Sequence, residues 1–233
     1  MADFLVRFGL MVVAVAACLW ACVGDLRTVD ASGIAWGLGF TLTLLTALFA
    51  PLPAGTGGAL PRALAWSSLA AALAFAMPVA AGMAAPLPAA SLAIVVWLAS
   101  LALQVLLACV LGLARTPKST AVRVAVTAFY AALSAAPLWL GHAAQLLGSQ
   151  SGWPSRIVAL SPAAHLASAI DCDLLRTTWF YAHTPIAGLR FEYPQFSAIV
   201  LSYAAATLLL AVCFQLAARR TGAMALSMQF ARS

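Results

Sequence analysis

The chain has 233 residues, of which 64% are apolar and only 8% charged. A soluble domain carries about a quarter charged residues, so composition excludes the usual water-facing surface. The net charge of +6 does not mark a nucleic-acid binder, because the basic residues stand singly or in small groups between apolar runs, as membrane orientation demands.

Six apolar runs follow one another along a single domain spanning 1–233. The first, Phe8 to Val23, follows Arg7 and reads as a first transmembrane helix rather than a cleaved signal, despite the cleavage-box look of Val15-Ala16-Ala17-Cys18. The next is 33–50, ended by Pro51 and Pro53, and then come 63–81, 89–114, 124–147 and 196–218. Positions 63–114 hold no Asp, Glu, Lys, Arg or His, which leaves room for two crossings at ~20 residues each. The runs are continuously apolar and not alternating, which excludes a barrel. The fold class is therefore all-α: a polytopic membrane protein of about six spans. Pro137 falls inside the fifth run and is able to kink it or end it early.

Charge sets the orientation. The even-numbered loops and both termini, placed inside, hold eight of the twelve Lys and Arg residues, and the odd loops hold five of the six acids. The positive-inside rule then puts both ends in the cytoplasm. The expected location is a bacterial inner membrane. Gly33 and Gly37 make a GxxxG match, although a chain this rich in alanine produces such spacings by chance. Gln104 and Gln215 are polar within the runs and suited to hydrogen bonds between helices. His142, near the outer end of the fifth run, reads as interfacial.

Residues 148–195 form the one long extracytoplasmic segment. Ser161-Pro162 is a helix start, and 163–178 contains no breaker. Leu166, Ile170 and Leu174 make an apolar stripe, with His165, Ser168, Cys172 and Arg176 on a more polar side and Asp173 placed to pair with Arg176. Such a helix is expected to lie on the membrane or cover the bundle. Trp153, Trp179, Phe180, Tyr181, Phe191, Tyr193 and Phe196 bracket it as an interfacial belt. The candidate functional surface comprises His165, Asp171, Asp173, Arg176, Trp179, Tyr181 and His183.

The chemistry available here is limited. His165 and Asp173 are eight positions apart, more than two helical turns, and Asp171-Cys172-Asp173 is a lone DxD, so no metal site is assigned. The five cysteines form no CxxC pair. There is no HExxH, GxSxG or P-loop, and no catalytic residue or cofactor is assigned.

The layout resembles the permease subunits of type 2 ABC exporters: about six helices, cytoplasmic ends and a long outer segment before the last span. Ala159-Leu-Ser-Pro-Ala-Ala-His-Leu166 resembles the proline-containing stretch that follows the fifth helix there, and 176–195 returns to a final helix ending at Arg219-Arg220. The resemblance implies a separate cytoplasmic ATPase as partner and a dimeric assembly. Two other classes remain open: a noncatalytic membrane subunit that scaffolds a larger complex, and a membrane-bound enzyme whose site would involve Asp171 and Asp173.

Overall fold

An apolar chain in lipid must satisfy every backbone amide within itself, and helices do so. The computed structural model describes residues 31–49, 59–82, 84–114, 119–147 and 152–230. Among these it is all-α, with no strand. Four helices are long and apolar enough to cross a membrane. They are α1 (Ala31–Phe49), α2 (Ala59–Ala80), α3 (Pro86–Ala114) and the last helix, α10 (Phe196–Phe230). The 8–23 run, Cys18, Cys22, the first-loop charges Asp25, Arg27 and Asp30, and also Arg115, Lys118 and Arg232 lie outside the described residues.

Helix α3 is the hub, packing against α1, α2 and α10. Leu38 and Leu42 of α1, Trp66 and Ala70 of α2, and Leu92, Val95 and Val96 of α3 share one buried cluster. Small residues allow the close approach that drives helix association in lipid: a Cβ at Gly39 would lie 2.9 Å from Leu92 Cδ1, while one at Gly37 would meet nothing. The tight α1–α3 contact is thus made by Gly39, and Gly37 of the GxxxG match faces open space. Gln104 Nε2 donates to Ser67 Oγ at 3.1 Å, tying α3 to α2. Cys109 Sγ contacts Leu210 O at 3.1 Å, tying α3 to α10.

The fifth run is not one helix. It divides into α4 (Ser119–Ser134), α5 (Ala136–Trp139) and α6 (Gly141–Leu147). Pro137 has no N–H to offer Leu133 O, and its ring clashes with the preceding turn. The break exposes carbonyls that side chains then occupy: Trp139 Nε1 donates to Ala132 O at 3.0 Å, and Thr184 Oγ1 donates to Pro137 O at 3.0 Å. A Cβ at Gly141 would run into Thr184 Oγ1. Gly141→Ala is therefore expected to displace Thr184, leave Pro137 O unpaired and cost about 1–3 kcal/mol in thermal unfolding; Gly37→Ala should be neutral.

The helix boundaries also move. Helix α2 begins at Ala59, so Arg62 stands in its first turn, and α10 runs on through Arg219 and Arg220 to Phe230. Arg123 belongs to α4 and not to a loop. It is 7% exposed, and its Nη1 donates to Leu48 O at 2.8 Å, at the C-terminus of α1. This marks the end of the bundle opposite the short helices described next.

Candidate functional site

The segment before α10 folds into short elements, not one long helix. Gly152, at φ 69°, turns the chain into α7 (Trp153–Leu160), and Pro154 sits in its first turn. Ser161 joins α7 to α8 (Pro162–Ala169), with Pro162 at the start of α8. The Ser161-Pro162 start is correct, but the Ser161 hydroxyl does not cap α8. It donates to Ser134 O at the end of α4, at 2.7 Å. The expected continuation to 178 fails because Asp171 adopts φ 53°, a left-handed conformation that ends a helix and that Asp tolerates better than most residues. A 3₁₀ turn (Leu174–Arg176), α9 (Thr178–His183) and a second 3₁₀ turn (Pro185–Gly188) follow.

Helix α8 neither lies on the membrane surface nor merely covers the bundle. It packs against α1, α3, α4 and α10. Leu166 is 0% exposed and joins the cluster of Leu38, Trp66 and Val95. Trp36 Nε1 donates to Ala163 O at 2.9 Å, and Ser168 Oγ donates to Pro194 O at 2.9 Å. The stripe holds for Leu166 and Ile170, while Leu174 belongs to the next turn.

His165 stands between α7 and α10. Its Nε2 lies 2.8 Å from Ala159 O. A carbonyl only accepts, so Nε2 carries the proton, and Nδ1 is left to accept from Tyr203 Oη at 3.2 Å. The two rings meet edge to face, with centroids 5.4 Å apart. Burial is the main cause that pushes His165 below its ordinary value of 6.5, opposed by the bond to Ala159 O. Because the folded value is depressed, the unfolded chain binds the proton more readily. The stability contributed by neutral His165 is full above 6.5 and falls as pH drops through that value to the lowered one. Thermal unfolding between pH 7.5 and 5 should show this loss, and His165→Gln should flatten that component of the profile.

At the capped end, Tyr193 organises the turn. Its hydroxyl accepts from Leu175 N at 2.9 Å and donates to Asp173 Oδ1 at 3.1 Å. Burial, with a lesser contribution from the Asp173 carboxylate, pushes Tyr193 well above the usual tyrosine value, and the Leu175 N–H works against this. Arg176 Nη1 pairs with Asp173 Oδ2 at 3.4 Å, both side chains about half exposed. The Arg176 guanidinium also lies 5.2 Å from the Phe191 ring centre. An exposed pair of this kind contributes little by itself; its effect is to hold the turn.

The seven candidate residues therefore do not form one site. Asp173 and Arg176 come together, and their expected pairing is made. His165 faces into the bundle, while Asp171, Tyr181 and His183 are exposed on the cap. The Trp179 side chain lies outside the described residues. Among the described residues no three His, Cys, Asp or Glu side chains converge as a metal would require. The aromatic belt is likewise divided. Phe191 is buried, with Phe180 and Tyr193 packed against the same cap core, whereas Trp153 and Tyr181 are exposed.

A polar cluster inside the bundle was missed by sequence reasoning. Tyr130 of α4 is 4% exposed and its hydroxyl lies beside those of Tyr203 and Thr43. Rings continue the cluster outward: Tyr130 stacks on Phe40 at 6.2 Å, and Phe40 stacks on Trp36 at 5.6 Å. The available signal was that two of the four tyrosines, Tyr130 and Tyr203, interrupt apolar runs, where a phenol needs a partner. No family model matches the chain, and no curated protein or solved structure matches it.

Proposed function

We propose that the chain is the membrane-spanning permease subunit of an exporter driven by a separate cytoplasmic ATPase. The observation that carries this reading is the seating of α8 inside the bundle. Its contacts with four membrane helices make the segment before α10 part of the same packed unit. A tilt of α1 or α10 would then be felt at the cap, as a transporter opening and closing at one face requires.

The reading includes about six spans: the 8–23 run, the four long helices, and α4 with its broken continuation. Both termini face the cytoplasm of a bacterial inner membrane. Two features support this orientation. Arg62 stands in the first turn of α2 and Arg123 in the second turn of α4, at the end of the bundle where α1 finishes, while Asp171, Asp173 and Glu192 lie toward the other end. The exposed apolar side chains of α10, among them Leu201, Leu208, Leu209 and Val212, suit contact with lipid or with another membrane subunit.

Those same side chains would serve a noncatalytic assembly subunit, which is the second reading. Mild-detergent purification of the tagged chain from its native membrane separates the two. An ATPase recovered in stoichiometric amount, with activity lost on removing this chain, supports the permease. A stable native complex without any ATPase supports the scaffold and removes the permease.

A further inference from the structure

Helix α7 descends into the bundle and α8 climbs back out of it. At the upper end of α7, Glu192 N donates to Ser155 Oγ at 3.2 Å, and Glu192 stands four positions before Phe196, the first residue of α10. At the lower end, Ser161 Oγ donates to Ser134 O. Ala159 O accepts from His165, whose other ring nitrogen meets Tyr203. Tyr203 lies seven positions inside the start of α10, and Trp36, which bonds Ala163 O, lies five positions inside the start of α1. Both helices are long and apolar enough to cross a membrane. At the rise of an α-helix, the elbow at Leu160–Ser161 therefore stands about 5–10 Å inside their ends.

The chemistry along the free side of α7 changes in step with this descent. Trp153, Arg156 and Leu160, spaced three and four apart, fall on one face. Trp153 is 43% and Leu160 57% exposed, and Arg156 and Ala159 are exposed with them. Pro154, Ile157 and Val158 are buried on the other side. The Arg156 guanidinium leans back up the helix over Trp153, 5.3 Å from the ring centre, the direction in which long helical side chains point. From the capped end inward, the face thus presents a ring and a cation together, and then an apolar side chain.

We infer that this face of α7 binds a phospholipid of the leaflet at the capped end, with its phosphate on the Arg156 guanidinium and an acyl chain along Ala159 and Leu160. Depth favours lipid over a soluble partner, because an exposed leucine this far inside the helix ends meets hydrocarbon. Charge favours an anion. Positions 124–170 contain no Asp or Glu, and among the described residues no carboxylate pairs with Arg156. An arginine at this level reaches up to the headgroups while its stem stays on apolar surface. The surface is also continuous with the lipid-facing side of the bundle. Helix α5, which packs against α7, exposes Trp139, bonded to Ala132 O of α4, and α4 in turn exposes Val124 and Phe129. The inference requires that the bundle cross a membrane, and it stands whether or not an ATPase drives the chain.

Two measurements on the full chain test it. Spin labels on single cysteines, in nanodiscs containing phosphatidylglycerol, report depth through collisions with oxygen and with a water-soluble nickel chelate. Leu160→Cys should favour oxygen as Leu208→Cys does, on the exposed side of α10, whereas Asp171→Cys should favour the chelate. A Leu160→Cys label that behaves like Asp171→Cys overturns the inference, and so does one shielded from both reagents, which would mean that protein covers the face. Native mass spectrometry tests the phosphate. The chain should retain phosphatidylglycerol at least several-fold better than diacylglycerol, which has the chains without the phosphate. Arg156→Gln should remove most of that preference, and Arg190→Gln, an exposed arginine elsewhere on the cap, should keep it. Excess inorganic phosphate should not displace the lipid. Equal retention of the two lipids, equal losses in the two variants, or displacement by inorganic phosphate overturns the site.

Discussion

Leu166→Ala should destabilise the protein by about 2–5 kcal/mol, the largest effect we expect from a single side chain outside the four long helices. Leu166 is completely buried and touches a cluster supplied by α1, α2 and α3. In lipid the loss comes mainly from packing contacts, since hydrocarbon is no worse a solvent for a methyl group than the protein core. The size of the loss depends on how far α8 collapses into the void. Tethers on either side, from Trp36 to Ala163 O and from Ser168 to Pro194 O, resist that collapse and keep the loss large. Thermal unfolding in detergent measures it, and Leu146→Ala is the matched control: Leu146 is 89% exposed on α6 and should shift stability by under about 0.5 kcal/mol. A surface-lying α8 would make the two substitutions alike.

Arg123→Leu is the second large effect, at about 2–3 kcal/mol. The last turn of a helix leaves carbonyls without partners, and the guanidinium bonded to Leu48 O supplies one while placing a cation at the negative end of α1. Leucine fills much of the space but abandons the carbonyl in an apolar setting. Arg123→Lys should recover part of the loss, because lysine keeps the charge but not the planar fork. Amide exchange in the last turn of α1 and the first turns of α4 should accelerate in Arg123→Leu and remain slow in the cap. A loss spread evenly over the molecule would show that the bond is not a local clamp.

The long helices were legible because lipid leaves the backbone few choices. Runs of apolar residues without charge become helices, and α1, α2, α3 and α10 appear where the runs lie. Their ends were less legible: the prolines at 86 and 88 fall between the runs 63–81 and 89–114, yet they stand in the first turn of α3, where a missing N–H costs nothing. Pro137 was visible as a point of weakness, but sequence alone could not say that Thr184, far along the chain, would bond the Pro137 carbonyl. The outer segment was the least legible. Its helix start at Ser161-Pro162 could be seen, yet the stop at Asp171 depends on a left-handed conformation that no breaker residue announces. The direction of His165 was also hidden. A histidine on the polar side of an outer helix looks solvated, and only tertiary packing turns it toward Tyr203. Candidate residues read from charge and aromatic character were therefore drawn to the exposed cap, while Tyr130 and Tyr203 meet inside the bundle among residues that composition counts as apolar.

Helix α8 is built into the bundle, and the orientation proposed above puts the turn beyond it on the outside; the permease reading depends on that placement. Single cysteines at Ser155, Ala164, Leu166, Ala167, Asp171 and Arg176, in a background without the native cysteines, allow it to be measured with a membrane-impermeant maleimide on intact cells. Ser155→Cys, Asp171→Cys and Arg176→Cys should react from outside, while Ala164→Cys, Leu166→Cys and Ala167→Cys should react from neither side until the protein is denatured. Labelling that repeats every three to four residues from 163 to 178, as a helix lying on the surface would give, would contradict this placement.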